Sequence, residues 1–278
     1  KQKASNKKIK LIHMVAPTVW AWRPGRAKHI SKFLDHLLTL FPFEPPFFRQ
    51  HGLPTTFIGH PLAEQPVGCG SIYRDTHHVD QVTKIISLLP GSRPGEIRRL
   101  LPTFKKTLDL LLKKYPKIHL VIPTVVSVEG LLRKETLGWE TPVSIITDPE
   151  MKLNALASSS VALAASGTVT LELALARVPS VIAYKVNPLS AIIGCFLVNK
   201  DAVVLPNKLI GKEIFPLYLQ WKCTPNNLYK AATQKIEYPT DQLIEVSDAI
   251  RSMLRANGQS SQSLAAQTII SLLEGGKT

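Results

Sequence analysis

Residues 161–176 read VALAASGTVTLELALA, and this stretch decides the fold class. Val161 to Ala164 is a short apolar run without polar alternation, as expected of a strand buried on both faces. Ser166-Gly167-Thr168 interrupts the run, and Thr168 to Ala176 is expected as a helix. A strand that enters a helix through a glycine-containing turn is a unit of a parallel α/β sheet. The turn itself has chemistry. Gly167 permits tight backbone geometry, and Ser166 and Thr168 offer hydroxyls. The first N–H groups of the helix are unpaired and lie at the positive end of its dipole, a combination suited to a diphosphate. Glu172 follows one helical turn later on the same face, where its carboxylate could accept hydrogen bonds from ribose hydroxyls. An ordinary Ser or Thr cap with a surface Glu is the competing reading.

The pattern repeats on both sides. Upstream, strand Ile85–Leu89 runs into Pro90-Gly91-Ser92-Arg93-Pro94-Gly95-Glu96. A helix then extends to about Lys114, with Ile97, Leu100, Leu101, Phe104, Leu108, Leu111 and Leu112 on one face. Ser92, the loop amides and Arg93 suit phosphate oxygens; a Gly/Pro turn with a solvated Arg and a capping Glu is the alternative. Strands Ile118–Ile122 and Val143–Ile146 and a helix Pro149–Ala157 fill the interval. Downstream come strand Ser180–Tyr184, an apolar helix Pro188–Val198 and a strand Ala202–Leu205. Asn207, with Gly211, Lys212 and Gln220 beyond it, suits base or sugar recognition, because Asn and Gln amides both donate and accept; a turn at a strand end fits equally. Two helices close the chain, one bearing Leu243, Val246, Ile250, Met253 and Leu254, the other covering about Ser261–Leu273.

The N-terminal part reads as strand Ile9–Val15, the loop APTVWAWRPGR, a helix of about Arg26–Leu34, strand Leu37–Leu40, the loop FPFEPPF and a strand near Thr56–Ile58. Trp22, Arg23 and Arg26 could grip a phosphorylated, partly apolar ligand, or form a buried corner. Residues 61–81, with Pro66, Gly68 and Gly70, read as a domain boundary and linker. The expected division is 1–75, 76–235 and a pair of C-terminal helices, 236–278, returning to the first domain. The result is an α/β protein of two Rossmann-like domains with parallel sheets, the N-terminal one incomplete.

Of the 278 residues, 45% are apolar, a globular composition. Lys and Arg outnumber Asp and Glu by 34 to 20, a net charge of +14 that favours anionic partners. The three cysteines form no CxxC pair, and HxxxH and DxD are absent, so no metal site and no cofactor is expected. No basic and aromatic stripe of a nucleic-acid module is present. No apolar run spans a bilayer and no signal peptide is seen. The abrupt start at Lys1 suggests an N-terminal truncation.

The segments VAPTVWAWRPGR, FPFEPPFF, FIGHPL, LLPGSRPGEIRRLLP, ASGTVTLELALARVPSVIAYK and LPNKLIGKEIFPLYLQ, in this order, resemble the lipid-A-disaccharide synthase family. They cover about Val15 to Gln220. VWAWRPGR and the LPN block are specific; SGT with a following Glu is common to many GT-B transferases. The resemblance implies a GT-B fold and metal-free, inverting transfer of 2,3-diacylglucosamine from its UDP derivative to 2,3-diacylglucosamine 1-phosphate (lipid X). The products are a lipid A disaccharide 1-phosphate and UDP, in a Gram-negative bacterium, peripherally at the cytoplasmic face of the inner membrane.

By position, the resemblance implies that Ser166, Gly167 and Thr168 hold the diphosphate and Glu172 the ribose. Arg93, with Ser92 beside it, reaches the phosphates, and Asn207 and Gln220 complete the donor pocket. The family's Arg after the LPN-block glycine is Lys212 here, a point charge in place of a planar fork. Its acidic motif with the presumed general base does not occur. His60 and Glu44 are the weak candidates for that role, and no spacing marks either. A non-catalytic UDP-binding remnant or another GT-B UDP-sugar enzyme are the alternative readings.

Overall fold

A computed structural model describes residues 9–20, 24–186, 203–239, 241–256 and 258–274. The chain divides into two compact units. Among the described residues, one holds those up to Gln65 and from Ala249 on, and the other runs from Pro66 to Asp248.

The first unit is built on a three-stranded parallel sheet of β1 (Ile12–Met14), β2 (His36–Thr39) and β3 (Thr55–Phe57), in that order. Helix α1 (Gly25–Ile30) links the first two strands and α2 (Pro45–Arg49) the second two. The central strand is buried along its length, and alternate residues serve opposite faces. Leu37 packs with Ala16, Val19, Ala27, Phe48 and Leu53, whereas Leu38 packs with Ile58 and Ala265 from near the C terminus. The FPFEPPF segment is not all loop. Pro45 and Pro46 start α2, where a proline's missing N–H has no helical partner to lose.

The second unit opens with α3 (Gly70–Thr76) and contains a six-stranded sheet in which every pairing is parallel. In chain order its elements are β4 (Lys84–Leu89), α4 (Pro94–Lys114), β5 (Ile118–Pro123), α5 (Val126–Glu135), β6 (Val143–Ile146) and α6 (Pro149–Ala157). They continue as β7 (Val161–Ala165), α7 (Val169–Leu175), β8 (Ser180–Tyr184), α8 (Leu205–Ile210), β9 (Leu217–Leu219) and α9 (Pro225–Glu237). The strand order is β6-β5-β4-β7-β8-β9. One face carries the larger core, in which Ile97, Leu100, Phe104 and Leu108 of α4 and Leu228 and Ala232 of α9 cover Ile86, Leu88, Leu120 and Leu163. On the other face Tyr73 of α3 and Ala155 of α6 cover Ile85, Val121 and Ile146. With both faces covered, VALAA of β7 is buried at all five positions. Helices α10 (Gln242–Leu254) and α11 (Ser261–Leu273) follow. The units part within α10.

Several expectations need correction. The units divide at Gln65/Pro66, inside the expected boundary stretch 61–81 but ahead of residue 75, and at Asp248/Ala249 rather than at 235, and the residues from Pro66 on are part of the second unit rather than a linker. Gly68 is required by proximity: a Cβ there would lie 2.1 Å from the carbonyl oxygen of Leu153 in α6. Beside it, Cys69 N–H donates to Asn154 Oδ1 at 2.8 Å, and Tyr73 is fully buried. The expected strand Ala202–Leu205 is not formed at Leu205, which begins α8. Pro206 cannot donate to a sheet ladder but fits a first helical turn. The outermost strand is β9 instead. Helices α5 and α9 have no counterpart in the sequence reading, and the apolar helix Pro188–Val198 lies outside the described residues.

Candidate functional site

Because all six strands are parallel, their carboxyl ends share one edge, where ligands of such sheets bind. Strands β4 and β7 are neighbours, so their exit turns, Pro90–Arg93 and Ser166–Thr168, are brought together there. The exits of β8 and β9 come next along the edge. Strand order thus collects Ser92, Arg93, Ser166, Gly167, Thr168 and Gln220 from positions far apart in sequence.

Each of the two leading turns holds a glycine with positive φ. Gly91 has φ 120° and Gly167 φ 143°, conformations that side chains disfavour. The N–H groups of Gly167 and Thr168 have no hydrogen-bond partner among the described residues, and both residues are exposed. Helix α7 has only seven residues, so its dipole is modest, and the case for an anion rests on these turn amides. Ser166 is partly committed: its hydroxyl donates to the Val203 carbonyl at 2.7 Å. Thr170 Oγ1 donates to the Gly167 carbonyl at 2.8 Å and fixes the turn from behind.

At the β4 exit, Glu96 folds back on the loop. Its Oε2 accepts from Ser92 N–H at 3.3 Å and its Oε1 from Arg93 Nη1 at 3.3 Å. This is the capping arrangement that the sequence left open. The Arg93 side chain is 81% exposed, so little holds it to Glu96, and a phosphate would compete for it with a carboxylate already present.

Glu172, in the first turn of α7, forms an ion pair that no motif announces. Its Oε2 lies 2.5 Å from Nζ of Lys152 in the first turn of α6.

The remaining donor-side candidates have structural duties. Asn207 Oδ1 accepts the N–H groups of Ile214 and Phe215, both at 3.0 Å, and its Nδ2 donates to the Phe215 carbonyl at 2.9 Å. Its amide therefore shapes the loop that delivers β9. Gln220 adopts φ 45°, a left-handed conformation uncommon for a side-chain-bearing residue. Its Oε1 accepts Val186 N–H at 3.3 Å, tying the exits of β8 and β9 together. Lys212 is exposed.

In the first unit, Trp22 and Arg23 lie outside the described residues; Arg26 is exposed on α1. The two candidate bases are placed at the exits of β2 and β3 but are otherwise engaged. Glu44 is 2% exposed. Its Oε2 accepts Leu40 N–H at 3.1 Å and Phe41 N–H at 3.0 Å, and its Oε1 accepts the Trp20 indole N–H at 3.3 Å. Burial raises its pKa, opposed by the same hydrogen bonds. Trp20 also meets Phe43 edge-on, and Phe43 stacks on Phe41. Glu44 is thus the internal tie of two loops.

His60 is buried against Phe41, and its Nδ1 accepts Leu62 N–H at 3.2 Å. The neutral ring then carries its proton on Nε2, where a general base needs a lone pair, and burial lowers its pKa. Neither side chain is set up to take a proton. Among the described residues no three His, Cys, Asp or Glu side chains group as metal ligands.

The lipid-A-disaccharide synthetase family model matches residues 1–271. The lipid-A-disaccharide synthase of Rhodospirillum centenum is 42% identical over 254 residues, which are 91% of this chain and 63% of that protein. That of Paramagnetospirillum magneticum is 38% identical over 281 residues, 99% of this chain and 72% of that protein. The chain therefore spans roughly two thirds of the length of these relatives. Among solved structures, the Neisseria meningitidis UDP-GlcNAc 2-epimerase bound to UDP-GlcNAc superposes with a TM-score of 0.58 at 16% identity, covering 97% of this chain and 71% of that one. The structural likeness establishes the GT-B type of parallel α/β fold. The family match over residues 1–271 and the identity to these relatives show that this chain belongs to the lipid-A-disaccharide synthase family.

Proposed function

We propose that this chain carries the UDP-sugar side of a hexosyltransferase of lipid A biosynthesis. The reaction moves 2,3-diacylglucosamine from its UDP derivative to lipid X, giving lipid A disaccharide 1-phosphate and UDP. The observation that carries the reading is the pairing of two glycine turns, Pro90–Arg93 and Ser166–Thr168, on adjacent strands at the carboxyl edge of the larger sheet in a member of this family.

In this reading the free amides of Gly167 and Thr168, the Thr168 hydroxyl and Arg93 receive the diphosphate. They offset the charge that develops on UDP as the glycosidic bond breaks. Arg93 leaves Glu96 to do so. Glu172 accepts the ribose hydroxyls. Asn207 and Gln220 act at one remove, by fixing the loop around β9 and the exit of β8. Trp22, Arg23 and Arg26 belong to the acceptor side. The proton of the attacking 6-hydroxyl needs a base, a contribution commonly of ~10²–10⁴-fold. Glu44 and His60 are engaged elsewhere, and the reading gives that role to no described residue.

Titration of UDP by calorimetry, with and without EDTA, tests the donor site. Metal-independent binding is expected, and binding that disappears on chelation would refute the charge neutralisation described. Formation of the disaccharide is then compared between this chain and a full-length relative. Poor transfer by this chain alongside intact UDP binding is expected, and equal turnover would return Glu44 and His60 to consideration.

No helix among the described residues is long and apolar enough to cross a membrane. For a protein handling acylated sugars we propose peripheral attachment to an anionic, cytoplasm-facing membrane surface. The exposed basic run Arg26, Lys28, His29 and Lys32 at α1 supports it. Cosedimentation with anionic vesicles at low salt is the test, and absence of binding would end the idea.

A further inference from the structure

We propose that Lys152 is a positioning residue for Glu172, holding one carboxylate oxygen so that the other is presented to the ribose. The inference rests on the proposed donor site. Its structural basis is the ion pair between the first turns of α6 and α7, on adjoining crossovers at the carboxyl edge of the sheet. Both side chains are largely covered, at 23% and 21% exposure. Arg93 and Glu96, by contrast, stand at 81% and 27%, and Lys117 and Asp80 at 67% and 54%. A covered pair is less screened by solvent and less free to reorient than an exposed one. Glu172 Oε2 is taken by the ammonium, whereas Oε1 accepts no hydrogen bond from any described residue. One oxygen is anchored and one is available.

A second physical requirement points the same way. Glu172 lies four residues after Thr168, about 6 Å along the helix axis, so its bare charge would repel a diphosphate on the Ser166–Thr168 turn. An ammonium at 2.5 Å offsets that charge without removing the acceptor lone pairs the ribose needs. Sequence spacing could not show this. Lys152 belongs to a different βα unit, and only the packing of α6 beside α7 brings it to Glu172.

The test is a double-mutant cycle on UDP affinity, measured by calorimetry on the chain, with melting curves confirming that each variant is folded. Glu172→Gln is expected to weaken UDP about tenfold and Lys152→Met about five- to tenfold. Lys152→Arg, which keeps the charge, is expected to stay within about twofold of the parent. The combined variant should bind no more weakly than Glu172→Gln alone, and a 2′,3′-dideoxy analogue of UDP, which keeps the diphosphate but not the ribose hydroxyls, should lose less affinity on Lys152→Met than UDP does. Additive losses, or an equal loss with the dideoxy analogue, would overturn the positioning role and make Lys152 a direct ligand of the nucleotide or a purely structural residue. Unchanged affinity in Lys152→Met would overturn it as well. If Glu172→Gln leaves UDP affinity intact, it is the donor-site reading that fails, a result separate from any behaviour of Lys152.

Discussion

Glu44 offers the sharpest test of how the first unit holds its loops. The carboxylate is buried, and three N–H groups converge on it from Leu40, Phe41 and the Trp20 indole. Truncation to Ala strands three donors. Leaving a buried donor unsatisfied costs about 1–3 kcal/mol each, so Glu44→Ala is expected to lose about 3–9 kcal/mol. Glu44→Gln keeps the shape: a carbonyl oxygen in place of Oε2 retains both backbone bonds, and only the longest contact, to the indole, becomes donor against donor. The loss is offset by removal of a buried charge, and a net cost of about 1 kcal/mol is expected.

The pH dependence has a definite sign. Burial raises the folded pKa of Glu44 above its ordinary 4.5. Between those two values the folded protein binds more protons than the unfolded chain, so this group's contribution to stability increases as pH falls. The gap between parent and Glu44→Gln should therefore widen on acidification toward 4.5. Urea titrations across pH, with the Trp20 indole proton followed by NMR, provide both readouts. If Glu44→Ala is as stable as the parent and the indole resonance does not move, the assignment of Glu44 as the tie between the loops is wrong.

Other expectations follow from single contacts. Gly68→Ala places a methyl 2.1 Å from the Leu153 carbonyl oxygen, which is backbone and cannot swing aside. A loss of about 1–3 kcal/mol is expected in urea titrations, and a neutral result would show that residues 66–70 can lift from α6. Asn207→Ala removes the acceptor of two backbone N–H groups and should cost about 2–6 kcal/mol. Hydrogen exchange should quicken at Ile214 and Phe215, and protection equal to the parent's would contradict the loop-shaping role. His60 and His119 have pKa values lowered mainly by burial, so each is favoured neutral in the folded protein. Stability is fully present above the ordinary 6.5 and falls as pH drops below it. His119→Asn should flatten that slope in urea midpoints taken at pH 7.5 and 5.5; parallel slopes would count against it.

The larger sheet was legible because its strands are short apolar runs that each end in a turn, and β4, β5, β6, β7 and β8 fall within a residue of where the sequence puts them. Helix α3 was not, because Gly68 and Gly70 look like loop residues until α6 is seen pressed against them. Strand β9 was missed because Leu217-Tyr218-Leu219 is too short a run to stand out, whereas the run before Pro206 did stand out and leads into α8 instead. At the site, residue types located the two turns and Glu172. The partners that modify them, Glu96 and Lys152, depend on a capping alternative and on helix packing that one sequence leaves undecided. Asn207 was judged by what its amide can do for a ligand, and the structure shows that amide occupied by its own loop.

The discontinuous build of the first unit has a consequence for the order in which the protein acquires its structure. Leu38 and Ile58 are covered by Ala265, and the carbonyls of Ala63 and Gln65 receive Arg251 Nη1, both at 2.7 Å. Gly59 and His60 likewise meet Leu254, whose carbonyl accepts His60 N–H at 2.9 Å. These partners are made some two hundred residues later, so during synthesis the early strands wait while the larger sheet, nearly contiguous in the chain, can close first. Loop closure over such a distance is slow and leaves apolar surface open meanwhile. Removal of residues 249–278 should therefore leave the larger sheet folded and turn the N-terminal segment into a dye-binding, protease-sensitive stretch. Full protection of that segment in the shortened chain would show that its three strands need no later partner.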